Sequence, residues 1–297
     1  MTIVLVDFSQ TVISSVAVNA KELKNGDAKN LVKHIALAQI LSIKKKFPGK
    51  IILCCDAKNY WRKTEFPPYK GHRKYIRDKN AQGFDWKVVL ETLDELKIEL
   101  RENFPYIVLD VEGAEADDCI AAMVKYFDEN ELINTGLIEE PENIVICSSD
   151  LDFTQLQKYR NVRQWASDKF VVEKNPKKWL IENIAHGQSK DNIPSICNSD
   201  QWAIDRANNI PTRAKPFATA RYSDFYNKGI LACETEEETK HWMRNEKLID
   251  FDMIPTAIYN KIVHEYQHHN VDYNKTKIFN YLNKHRMRLL MASVSDF

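Results

Sequence analysis

Short runs of apolar and β-branched residues recur through the first half of the chain, at residues 3–6, 51–55, 107–111 and 144–147. Each is too short for a core helix, so each reads as a strand. Between them, residues 28–46, 86–102 and 115–130 place apolar side chains three and four positions apart, the spacing of helices with one buried face. Strands alternating with helices predict an α/β fold: a central, mainly parallel sheet flanked by helices on both faces.

The rhythm breaks at residues 60–80, where Pro67-Pro68 sits among basic and aromatic residues, and this stretch is expected to be an inserted arm outside the core. Beyond Asp152 the pattern weakens. Residues 162–172 suit a hairpin, 177–185 a short helix and 198–220 a long polar loop, and helical spacing resumes at 234–243, 255–268 and 275–291. No internal repeat or low-complexity tract interrupts the chain. The expected division is a core of residues 1–185, including the arm, followed by a less regular helical region, 186–297.

Composition adds little until it is read locally. The 297 residues balance 42 Lys and Arg against 42 Asp and Glu, so the average charge points to no polyanionic partner. No run of about 18 apolar residues suggests a membrane span, and Met1 leads straight into the first strand without a signal-peptide pattern, so a cytoplasmic location is expected. The six cysteines include no C-x-x-C pair and are expected to be reduced and mostly buried.

The acidic residues are where the pattern becomes chemical. Asp7 closes the first strand, Asp56 the second, Glu115, Asp117 and Asp118 follow the third after a turn, and Asp150 and Asp152 follow the fourth. Any one of these serves equally well as a helix cap. Recurrence at all four strand ends is different, because the carboxyl ends of parallel strands share one edge, where ligands bind. Carboxylates gathered there repel one another unless a cation intervenes, and an all-oxygen set without His or Cys suits magnesium, with manganese as substitute, over zinc. Two such ions could clamp the attacking and leaving oxygens of a phosphoryl transfer.

Four segments, Val4-Leu5-Val6-Asp7-Phe8-Ser9, Leu53-Cys54-Cys55-Asp56, Glu115-Ala116-Asp117-Asp118 and Ser148-Ser149-Asp150-Leu151-Asp152-Phe153, resemble in order and spacing the acidic motifs of the 5′-nuclease superfamily. Within it they are most like the RNase H group of T-even-type phages, which are flap endonucleases and 5′ exonucleases. The likeness extends through Asn161-Val162-Arg163-Gln164-Trp165 and Leu248-Ile249-Asp250-Phe251-Asp252 to Asp296-Phe297. The resemblance implies a PIN-like 5′-nuclease core with a basic arch and a helical, DNA-binding C-terminal portion. It places Asp7, Asp56, Glu115 and Asp117 around a first metal, with Asp118, Asp150, Asp152 and Asp191 extending toward a second. Asp191 lies in Gly187-Gln188-Ser189-Lys190-Asp191-Asn192, where the family motif begins Gly-Asp; Gln188 stands in for that aspartate, so a weaker second Mg2+ site is expected.

The arm holds the local imbalance that the average conceals: Arg62, Lys63, Lys70, Arg73, Lys74, Arg77 and Lys79 against Glu65 and Asp78. Such cations neutralise backbone phosphates, and the interleaved Tyr60, Trp61, Tyr69 and Tyr75 could stack on bases. Tyr69-Lys70-Gly71-His72-Arg73 resembles the family's Tyr-Lys-x-x-Arg element. If helical, it would put Lys70 and Arg73 on one face, both reaching the scissile phosphate. A second basic patch, residues 206–221, carries Arg206, Arg213, Lys215 and Arg221 and suits non-specific phosphate contact, although the family's glycine-rich hairpin is absent here.

The implied activity is Mg2+-dependent 5′-3′ exonuclease and flap cleavage of branched or nicked DNA and RNA-DNA duplexes by a monomer, with catalysis resting on Asp7, Asp56, Lys70 and Arg73. The implied setting is primer removal in the host cytoplasm, beside a single-strand binding protein. Only six residues precede Asp7, too few for an N-terminal sliding-clamp peptide, and Asp296-Phe297 hints at another contact. Two rival readings are a haloacid-dehalogenase-type phosphatase, from Asp150-Leu151-Asp152-Phe153-Thr154, and a module that binds branched DNA without cutting it. The first leaves Asp7, Asp56 and Glu115 unused; the second has only Gln188 in its favour.

Overall fold

A computed structural model describes residues 2–18, 28–80, 85–130, 132–134 and 139–297, the side chains of Lys74, Arg77, Asp78, Asn80 and of residues 132–134 and 139–141 lying outside the description. The main sheet contains β1 (Thr2–Asp7), β2 (Gly49–Cys54), β3 (Ile107–Leu109), β6 (Ile144–Cys147), β7 (Val162–Ala166) and β8 (Lys169–Val171), in the order β3-β2-β1-β6-β7-β8. Every pairing is parallel except β7 with β8, the expected hairpin. A separate antiparallel pair joins β4 (Leu132–Asn134) to β5 (Glu139–Pro141).

Alternation along the strands sends each side chain to one of two cores. Val4, Val6, Ile51, Leu53, Val108 and Val145 face a layer built from helices α1 (Phe8–Val18), α2 (Ala28–Lys46) and α5 (Trp86–Asn103). Ile3, Leu5, Ile52, Cys54, Ile107 and Ile146 face α6 (Ala116–Asn130) and α11 (Thr256–Gln267). Burial on both faces explains why the strands are apolar runs instead of alternating ones. All six cysteines are free, four of them buried.

A third core joins α7 (Pro176–His186), α9 (Tyr222–Lys228) and α10 (Glu236–Ile249) through Ile184, Phe225, Trp242 and Leu248. It also takes in Phe66 and Tyr69, which corrects the expectation for the arm. The segment from α3 (Trp61–Glu65) to α4 (Arg73–Asn80) is rooted in the core at Arg62, Phe66, Tyr69 and His72, and only its later part stands clear. The expected polar loop at 198–220 contains helix α8 (Asp200–Ala207), held by burial of Ala203 in the third core.

The expected final helix breaks into α12 (Lys275–Lys284) and α13 (Arg288–Met291), because Arg286 adopts a left-handed backbone (φ 55°). Phe297 is buried against Phe104, their rings 5.3 Å apart, and Asp296 pairs with Lys45 at 2.8 Å. Phe297 is therefore a core residue. Among the described residues no helix is long and apolar enough to cross a membrane.

Candidate active site

Strand order reverses at β1, with β2 and β3 on one side and β6 on the other, and the crevice at that switch point lies at the carboxyl ends of the strands. Asp7 ends β1 and is 5% exposed; its carboxylate accepts from the Gln10 N–H at 3.1 Å and the Ser148 hydroxyl at 3.0 Å. Asp56, just past β2, accepts from the Ala116 N–H at 3.0 Å and so ties its loop to the start of α6. Asp117 lies in the first turn of α6, and Asp150 follows β6, capping the next turn through the Asp152 N–H at 3.0 Å.

The electrostatics bind these groups into one site. Burial, then the nearby charge of Asp56 and that of Asp150, push Asp7 up to about 7, against the bonds from Gln10 and Ser148. Burial likewise raises Asp117 well above the carboxylate range despite Lys70, with Asp150, Asp7 and Glu115 adding repulsion. Asp152 is lifted to about 6 by burial and Asp150, although Lys190 pulls it down. Carboxylates from four separate segments thus sense one another, the convergence expected from the strand ends.

Cations of the chain itself meet the rest of the cluster. Glu115, 1% exposed, receives Lys70 Nζ at 2.6 Å and Arg62 Nη1 at 2.9 Å. Burial alone would raise its pKa, but Lys70 and Arg62 overcome that and hold it below its ordinary value. Arg73 pairs with Asp191, and Lys190 reaches both Asp150 and Asp152, the latter at 3.0 Å. Gln188 Nε2 donates to Asp152 Oδ1 at 2.8 Å.

Several expectations change here. Lys70 and Arg73 do not share a helix: Lys70 lies in a turn ahead of α4 with a left-handed backbone (φ 53°), and Pro67-Pro68 precedes it. They still converge, because the Lys70 N–H bonds the Asp191 carbonyl at 2.8 Å. Arg62 is 2% exposed and turned inward, its guanidinium shared by Glu115, Asp118 and the Leu248 carbonyl, so it is no DNA contact. Tyr69, at 3%, is equally unable to stack on a base. Asp118 is wholly buried, its oxygens taken by Arg62, Trp61 Nε1 and the Glu115 N–H, which makes it a brace for the start of α6 and not an open ligand.

Lys63, Lys79, Arg213 and Lys215 are exposed as expected. Lys74 and Arg77 fall among the side chains outside the description. Arg206 lies against Trp202 and donates to the Ser189 carbonyl at 2.8 Å, beside the acidic crevice. Sequence reasoning missed Gln10, Ser148 and Lys190, which orient or neutralise the aspartates. Ser148 and Lys190 lie inside the acidic motifs, two or fewer positions from an aspartate, and that adjacency was the available signal.

The donors are hard oxygen atoms, a set suited to a divalent cation such as magnesium. Among the described residues, no three His, Cys, Asp or Glu side chains form a ready-made ligand cage. The Asp7, Asp56 and Asp117 side fits an ion, since buried acids there repel one another; the Asp150, Asp152 and Asp191 side fits one less well, its carboxylates already meeting Lys190, Gln188 and Arg73.

Residues 2–184 match the model of the 5′-3′ exonuclease N-terminal, resolvase-like domain, and residues 176–297 match that of the T4 RNase H C-terminal domain. Ribonuclease H of Enterobacteria phage T4 is 34% identical over 307 residues, spanning 99% of this chain and 95% of its own. Among solved structures, T5 5′-exonuclease with bound zinc superposes with a TM-score of 0.60 at 16% identity, covering 91% of this chain and 99% of that one. The bacteriophage T5 flap endonuclease in a pseudo-enzyme-product complex with DNA and metal ions gives 0.59 at 13%, covering 90% and 98%. At such identities these two structures establish the fold.

Proposed function

The chain belongs to the 5′-3′ exonuclease family, in the branch with a T4 RNase H C-terminal domain, and from that premise we propose that it is a Mg2+-dependent flap endonuclease and 5′-3′ exonuclease acting on branched or nicked DNA and RNA-DNA duplexes. The observation that carries this reading is the mutually repelling group of buried Asp7 and half-buried Asp117 and Asp150 at the switch point of the sheet. Crowding carboxylates in this way is costly in a fold that has no use for them. The family likeness leaves no role for a dehalogenase-type aspartate nucleophile.

Asp7, Asp56, Glu115 and Asp117 would hold the ion, with Asp150, Asp152 and Asp191 bordering it. An ion bound there would lower the pKa of a coordinated water and neutralise charge on the phosphate. The chain's own residues supply the rest. Glu115 holds the Lys70 ammonium at 2.6 Å, charged and aimed at the crevice, where it can meet negative charge developing on a phosphoryl oxygen. Arg73, 45% exposed beside Asp191, is open to the same phosphate. Ser148 and the Gln10 N–H fix the Asp7 carboxylate so that little reorganisation is needed at the moment of reaction.

Exposed Lys63 and Lys79, with Lys74 and Arg77, would meet the backbone on the arm side, and Arg206, Arg213 and Lys215 on the other. Residues 1–185 would then act as the cutting core and 186–297 as the duplex grip. Removal of RNA primers fits a nuclease of this specificity. A 5′-labelled flap duplex incubated with Mg2+ should be cleaved near the junction and left intact in chelator. Intact flap in both conditions, with the duplex still bound, would establish a binding module instead.

A further inference from the structure

Lys190 lies in the tight turn Ser189–Asp191, and the chain pins that turn from several sides. Gln188 and Ile193 exchange backbone bonds of 2.9 and 3.0 Å, Arg206 caps the Ser189 carbonyl, and the Lys70 N–H bonds the Asp191 carbonyl. Gly187 enters the turn with φ 72°, where a Cβ would stand 2.5 Å from the Ile193 carbonyl oxygen. The turn is therefore built, and it delivers the Lys190 ammonium between Asp150 and Asp152.

The two halves of the acidic crevice differ in what neutralises them. In the Asp7 half, Asp7 and Asp56 are met by backbone N–H groups and one hydroxyl, none of which carries net charge, and the cations Lys70 and Arg62 meet only Glu115 at its edge. In the other half Lys190 serves Asp150 and Asp152, the Gln188 amide takes another oxygen of Asp152, and Arg73 serves Asp191. Three carboxylates there face two resident cations, and Lys70 stands 4.0 Å from Asp191 as well, so little negative charge is left for an incoming ion. A divalent ion entering that half would have to expel an ammonium, and would find an amide at Gln188 in place of a carboxylate.

We propose that this protein carries its own second cation: the Lys190 ammonium, held by Asp150 and Asp152 and flanked by the Gln188 amide, takes the place of a second metal ion, and the enzyme loads one divalent ion, in the Asp7 half. The inference rests on the metal-dependent nuclease reading and deepens it. With 43% of its side chain exposed, Lys190 keeps its head within reach of a phosphate in the crevice.

The test is a count of Mn2+ bound per chain, followed by loss of the free-ion electron paramagnetic resonance signal on titration. Wild-type protein should take up one ion. The double substitution Gln188→Asp with Lys190→Ala, which makes this half more negative by two charges, should take up two, and the slope of cleavage rate against Mg2+ concentration should steepen to match. Lys190→Ala alone keeps the amide and serves if the double variant does not fold; it should gain a second, weaker ion. Two ions in wild type, or one in both variants, overturn the inference while leaving a metal-dependent nuclease intact. A single wild-type ion that survives Asp7→Asn lies outside the Asp7 half and overturns the inference alone, whereas no bound ion in wild type overturns both readings.

Discussion

Replacing Asp7 by asparagine removes a charge that the cluster tolerates poorly. Its carboxyl is raised from 3.8 to about 7, chiefly by burial and then by Asp56. A raised acid binds its proton more tightly folded than unfolded, so the stability it lends is complete below the unfolded value and is lost as pH climbs through about 7. At about 1.4 kcal/mol per unit, ionising Asp7 costs the native state about 4 kcal/mol, an upper limit that relaxation and water entry reduce. Roughly two of those three units lie between about pH 5 and pH 8, so Asp7→Asn should gain on wild type by about 2–3 kcal/mol across that window. At about 2–4 °C per kcal/mol, the melting point of the variant in chelator should rise relative to wild type by about 5–10 °C over the same range. The amide keeps an acceptor for the Gln10 N–H and can donate to the Ser148 hydroxyl, so little else changes. Thermal denaturation followed by circular dichroism at the two pH values, in chelator and then in Mg2+, reads the effect. Mg2+ should stabilise wild type and not the variant, and flap cleavage by the variant should fall by at least about a hundredfold. A variant less stable than wild type by the same amount at both pH values would show that Asp7 is not under electrostatic strain, and the case for the cluster would fall with it.

Lys70→Ala should lower turnover on a flap substrate by about two to three orders of magnitude while DNA affinity changes little, since one of many phosphate contacts is lost. Lys79→Ala should do the converse, weakening binding and reducing the slope of log affinity against log salt by about one, with single-turnover cleavage unchanged; equal effects of the two substitutions on both quantities would refute the division. Arg62→Leu leaves Asp118 without a cation in the interior and Glu115 with Lys70 alone, and should cost about 3–5 kcal/mol in urea denaturation near neutral pH; a loss under about 1 kcal/mol would mean that Asp118 finds another partner. At subsaturating Mg2+, cleavage should rise with pH through about 7 as Asp7 loses its proton, and a rate flat across that range would exclude its ionisation from metal loading.

What the sequence disclosed follows from which forces are local. The strands were legible because burial on both faces demands unbroken apolar runs, and the acids because each stands at most a short turn beyond one. Helix α8 was not, since its stability comes from Ala203 docking in a core assembled from distant segments. Arg62 and Tyr69 read as surface because a charge or a phenol beside exposed lysines looks solvated; only the fold brings Glu115 and Asp118 to the guanidinium from 53 and 56 residues away. The Lys190 contact spans 40 residues and depends on a turn whose geometry no periodicity encodes.

Arg62 has a mechanical meaning as well as an electrostatic one. It belongs to the root of the arm, yet its guanidinium holds both Glu115, beside the crevice, and the Leu248 carbonyl in the C-terminal helical layer. Any tilt of the root therefore pulls on the same carboxylate that aims Lys70. With Phe66, Tyr69 and His72 buried beside it, the root of the arm is one mechanical piece with the sheet edge and the C-terminal layer.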